Sequence, residues 1–206
     1  MKNEIQVNPK QSKLVFTEAV ADILDRIEKY SFNVKYLLTL EFTLHHKSAN
    51  DLAEYLHHVD RVIESFIHRN KKHTDTPGRI YFIEPHADRG FHVHIVLEQL
   101  PFKVIEYYAG KSFLLSSKIE LEEAEKEARA IEMLGARLRK YVKKMSKSKR
   151  AFNSKNIFDI DGLTRYLNKT CFDPRVAGVD HIDILNSSIF NPKWIENRLN
   201  TMKGAA

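Results

Sequence analysis

A single cysteine, Cys171, stands in a chain of 206 residues. One thiol excludes a disulfide framework and any cysteine-based zinc site, and it fits a reducing, cytoplasmic compartment. Glycine is scarce, with seven residues, and no GxxxxGK[ST] run occurs among them, which excludes nucleotide hydrolysis on a P-loop. No apolar run approaches the length that crosses a bilayer, so no membrane association is expected. The opening stretch MKNEIQVNPKQSK has no apolar centre, and a secretory signal is not expected there. Internal repeats and low-complexity linkers are also lacking. What the chain does have is an ordinary hydrophobic fraction of 43% and an excess of base over acid, 33 Lys and Arg against 27 Asp and Glu. The pI of about 9.2 permits a nucleic-acid partner without requiring one.

The length fits a single domain over 1–206, with a mobile basic arm at 1–13. Apolar spacings of three and four predict a helix from Phe16 to Tyr30 and another from Asn50 to about Arg69. Val34 to Thr43, Arg79 to Glu84 and Phe91 to Leu97 read as strands, the last two forming a hairpin through the turn residues Pro85 to Gly90. No element is assigned between Pro101 and Ile119. A long helix follows to Met145, acidic first and basic later, an order that suits the helix dipole. Further on come a strand at Ile157–Ile160, a helix from Asp161 to Thr170, a strand at Val179–Leu185 and a last helix from Pro192 to Met202. The expected class is α+β, a mainly antiparallel central sheet with flanking helices.

The hairpin carries the most specific chemistry. In Phe91-His92-Val93-His94-Ile95 the two imidazoles share one strand face and the apolar residues fill the other. This presents two ligands to one metal ion from a rigid support. The pair alone is a weak signal in a chain with ten histidines. If Glu84 stands across from His92, it shares that face, and two imidazoles with one carboxylate suit manganese or magnesium with open positions for substrate oxygens. A register shifted by one residue would turn Glu84 away and make His86 the substitute.

Tyr166 and Lys169 lie three residues apart on the helix opened by Asp161 and so face one side. A tyrosine with a pKa of about 10 is a poor nucleophile unless metal activation of the phosphate and a nearby ammonium assist it. Tyr141-Val142-Lys143-Lys144 matches the same pattern. Tyr166 is preferred because its helix is short and lies between two strands, whereas an aromatic inside a long charged helix is more often a packing residue.

The strand Tyr36-Leu37-Leu38-Thr39-Leu40-Glu41-Phe42-Thr43, then His-hydrophobe-His, then Tyr-x-x-Lys, in that order, resembles the HUH endonuclease superfamily. Within it the chain is most similar to single-tyrosine rolling-circle replication initiators of plasmids and phages. The resemblance spans roughly 34–186 and implies an RRM-related architecture. It also implies nicking and joining of single-stranded DNA through a 5′-phosphotyrosine. By this match His92 and His94 are metal ligands with Glu84 as the third, Tyr166 is the nucleophile and Lys169 its helper. The first strand is structural in the family and is given no catalytic part. Arg79, Arg89, Arg165 and the basic stretch 137–150 are candidate phosphate contacts. Implied partners are single-stranded DNA with an origin hairpin, and a separate helicase and polymerase. No second tyrosine lies near Tyr166, which argues against a two-tyrosine mechanism. A transposase or relaxase with the same chemistry, or a DNA-binding regulator without catalysis, are the alternatives.

Overall fold

Alternating burial sets out the sheet. In the computed structural model, which describes residues 21–42, 49–68, 76–86, 90–112, 122–142, 152–156 and 186–204, the elements follow one another as α1 (21–29), β1 (Val34–Phe42), α2 (Ala49–His68), β2 (Arg79–His86), β3 (Gly90–Glu98), α3 (Phe102–Ser112), α4 (Glu123–Val142), β4 (Phe152–Asn156), a 3-10 turn (Ser188–Phe190) and α5 (Pro192–Gly204). The four strands are antiparallel in the order β2-β3-β1-β4. The class is therefore α+β.

Both faces of the sheet are covered. Leu38, Leu40, Tyr81, Ile83, Val93, Ile95 and Leu97 meet α2, α3 and α4 through Leu56, Ile63, Phe66, Val104, Tyr108, Leu134 and Leu138. Residues of the opposite parity, Ile80, Phe82 and Val96, meet Ile23 and Ile27 of α1, Ile189 and Trp194. Each fully buried aliphatic side chain contributes about 1.5–3 kcal/mol. Gly78 is required by close approach, since a Cβ there would lie 2.5 Å from Phe32 and 2.7 Å from Trp194.

Strand β2 lies at the edge of the sheet, where outward N–H groups need partners. Ser188 Oγ accepts from the Arg79 N–H at 3.1 Å, and Ser187 Oγ accepts from that of Tyr81 at 3.0 Å. Pro85, farther along this edge, has no N–H to pair. At the other end of the hairpin the buried Glu98 carboxylate accepts from the Asn33 N–H at 2.8 Å, the Gly78 N–H at 2.6 Å and the Arg198 guanidinium, tying α5 to the sheet. Asn191 caps α5, accepting from the N–H groups of Lys193 at 3.0 Å and Trp194 at 3.3 Å, and Pro192 opens the helix where its missing N–H costs nothing.

Several expectations are corrected. Helix α3 lies where no element was assigned. Its Val104, Ile105, Tyr108 and Ala109 are buried and form a helical stripe, but β-branched and aromatic residues mask that stripe in the sequence. The strand beside β1 is Phe152–Asn156, a polar segment that pairs through its backbone. The strand expected at 157–160 lies outside the described residues, as do the helix at 161–170, the strand at 179–185 and the arm at 1–13. Helix α4 covers Glu123–Val142 of its expected range, and the expected end at 143–145 lies outside the described residues. Strand β2 runs on to His86, through residues expected to turn.

Arg79 was expected to contact phosphate, but it is 4% exposed on the face covered by α2, α3 and α4. Its guanidinium donates to Asp60 through Nε and Nη2 and to Glu64 at 2.9 Å, and Tyr81 Oη donates to Asp60 at 2.7 Å. Burial by itself would lower the Arg79 pKa, but the hydrogen bonds and charge of Asp60, with Glu64, outweigh it and raise it above the ordinary value. Asp60→Ala would leave that guanidinium buried without its main partner. It should destabilise the fold by about 3–5 kcal/mol, read as a lower denaturant midpoint. The Asp60→Leu/Arg79→Met/Tyr81→Phe triple variant, which also removes the phenol that donates to Asp60, should recover most of the loss.

Candidate metal centre

Two strands position three ligand groups. The β2–β3 register sets Glu84 opposite His92 and Phe82 opposite His94, so the carboxylate and both imidazoles lie on the face opposite α2, α3 and α4. The expected register is the observed one, and the shift that would substitute His86 does not occur. One ligand atom from each of Glu84, His92 and His94 lies within 4.8 Å of the other two. His94 Nε2 is 3.0 Å from Glu84 Oε2, and the two imidazole rings are nearly perpendicular with centroids 6.1 Å apart.

Burial grades across the cluster. His94 is buried, while Glu84 and His92 are partly exposed. One ring is thus fixed in the sheet while the other two groups face an accessible side. Two donors on one ion at about 2.1 Å are about 3 Å apart when adjacent and about 4 Å when opposite. The His94–Glu84 separation already matches the adjacent case. Two nitrogens with one carboxylate oxygen suit manganese better than magnesium, because imidazole favours transition metals and carboxylate favours hard cations.

One neighbour was missed from the sequence. Thr39 of β1 pairs with His94, and its Oγ1 lies 3.0 Å from His94 Nδ1. The visible signal was a hydroxyl in the middle of an otherwise apolar strand, Leu37-Leu38-Thr39-Leu40. Its meaning depends on the β1–β3 register, which the sequence left open.

The other candidates divide cleanly. Arg89, Arg165, Tyr166 and Lys169 lie outside the described residues. Tyr141, the competing nucleophile, is on α4 in the helical layer across the sheet from the cluster. Its ring lies 6.2 Å from that of His58, and burial, with Tyr55 and Glu54 nearby, raises its pKa. A phenol that is harder to ionise and on the wrong side of the sheet is unsuited to attack at the cluster. The remaining described tyrosines belong to the packing. Tyr36 Oη donates to Glu127, and Tyr81 Oη donates to Asp60. Tyr108 Oη donates to the Phe66 carbonyl at 3.0 Å. Tyr55 and Tyr107 pack on the helical core, and the buried Tyr30 meets Trp194 edge-on.

The Tyr141 hydroxyl is buried without a hydrogen-bond partner among the described residues. Removing it relieves a desolvated polar group. Tyr141→Phe should therefore leave stability unchanged or raise it by up to about 1 kcal/mol in denaturant titration, with no loss of manganese binding.

Comparison with family models, with curated proteins and with solved structures finds no match to this chain.

Proposed function

We propose that the chain is a metal-dependent nuclease of the HUH kind. It would nick and rejoin single-stranded DNA through Tyr166 and act as a rolling-circle replication initiator. The observation that carries this reading is the convergence of Glu84, His92 and His94 on one sheet face in the register that the chemistry requires. The tyrosine census supports it. Of eight tyrosines in the chain, the seven other than Tyr166 are held in packing, on far-side helices or at the Trp194 contact.

In this reading Glu84, His92 and His94 hold manganese or magnesium, which when bound would polarise the scissile phosphate. The Tyr166 phenol gives its proton to water as its oxygen attacks phosphorus. The bond from phosphorus to the 3′ oxygen breaks, and that oxygen takes a proton from water to leave as a 3′-hydroxyl. Lys169 stabilises the charge that develops on the phosphoryl oxygens or the leaving group. The phosphotyrosyl ester keeps the energy of the cleaved bond, so a new 3′-hydroxyl can reverse the step. Arg89, Arg165 and the basic residues of 137–150 are the proposed phosphate contacts, and Arg79 is withdrawn from that set by its burial. Single-stranded DNA with an origin hairpin is the proposed substrate, with a helicase and polymerase as separate proteins.

The test is denaturing electrophoresis after incubation with manganese and single-stranded DNA of the protein's own replicon. A band that survives boiling in detergent, requires the metal and vanishes with Tyr166→Phe is the expected result. DNA binding without adduct under these conditions would favour a non-catalytic regulator.

A further inference from the structure

The contact between Thr39 and His94 carries an inference beyond the three ligands. His94 is held at both ring nitrogens, with Nδ1 at 3.0 Å from Thr39 Oγ1 and Nε2 at 3.0 Å from Glu84 Oε2. A neutral imidazole has one donor nitrogen and one acceptor nitrogen, and an ionised carboxylate only accepts. Where Nε2 meets Glu84, Nε2–H donates, so Nδ1 must accept and Thr39 must supply its O–H. Where Nε2 turns its lone pair to a cation, the proton resides on Nδ1, so Thr39 must accept.

A hydroxyl does both by rotating one hydrogen, with no heavy atom moving. A carbonyl or carboxylate in its place would only accept. It would fix the proton on Nδ1 and aim a bare Nε2 at the Glu84 carboxylate whenever no cation lay between them. Methyl groups would serve neither arrangement.

We infer that Thr39 is a positioning residue for the metal centre, holding the His94 ring at a fixed angle in both tautomers so that Nε2 can alternate between Glu84 and a divalent cation. The inference rests on the metal-dependent reading above. It gives β1 a part in the chemistry, because the strand delivers the hydroxyl through the Thr39–His94 pairing.

The experiment measures manganese affinity by titration calorimetry for the wild-type chain and for Thr39→Ser, Thr39→Val and Thr39→Ala. The His94 ring Nδ1–H is followed by NMR with zinc as a diamagnetic probe. Thr39→Ser should bind within a few-fold of wild type. Thr39→Val should bind about ten- to a hundredfold more weakly, the usual cost of removing a group that orients a ligand histidine. Thr39→Ala, which lacks the same hydroxyl without the extra methyl, should fall with it. The zinc-bound Nδ1 proton should be protected from exchange in wild type and Thr39→Ser, and lost from view in the other two. Equal manganese affinity in all four proteins would overturn the inference and leave the metal reading standing. Absence of manganese binding by the wild-type chain would overturn that reading and the inference together.

Discussion

The register of the β2–β3 hairpin is the constraint on which the rest depends. Side chains alternate at period two, so a slip of one residue would carry Glu84 to the far side of the sheet and dissolve the cluster. The register is held because both faces are buried. Val93, Ile95 and Leu97 fill the helical core, while Ile80, Phe82 and Val96 fill the smaller core under α1, the 3-10 turn and α5. A slip would put both sets in the wrong layer at once. Hydrophobic burial, which is nondirectional, becomes directional here because it is divided between two sides of one strand pair.

The polar cluster occupies the same face as the smaller core, beyond Phe82 and Val96 on the strands. His94 is the junction, buried like its apolar neighbours yet contacted at both nitrogens. Strain-free placement of a buried imidazole requires partners at both edges, and the sheet supplies one from each adjacent strand, Thr39 from β1 and Glu84 from β2. The sheet also sorts the aromatic hydroxyls. Tyr36, Tyr81, Tyr108 and Tyr141 all belong to the side of α2, α3 and α4, which keeps phenols of raised pKa such as Tyr81 and Tyr141 away from the cluster.

Legibility followed the strength of the period. Strand β1, helix α2 and the hairpin were readable because their apolar residues repeat cleanly, and the shared face of Glu84, His92 and His94 follows from alternation alone. Helix α3 was not readable, since Phe102-Lys103-Val104-Ile105-Glu106-Tyr107-Tyr108 combines strand-favouring residues with a helical stripe that only burial against α2 and α4 reveals. Strand β4 was missed because Phe152–Asn156 pairs through main-chain groups that carry no side-chain signature. Arg79 reads as an exposed base at the start of a strand, and its burial depends on Asp60 and Glu64, fifteen and more positions away on α2. Thr39 was missed, since its partner is set by strand order.

The most direct measurement of the central claim is anomalous diffraction at a manganese-sensitive wavelength from crystals grown with the metal. One strong peak is expected at about 2.2 Å from Glu84, His92 and His94 together, with the His94 ring still against Thr39. A fully occupied manganese bound elsewhere in the chain, with no peak between these three side chains, would contradict it.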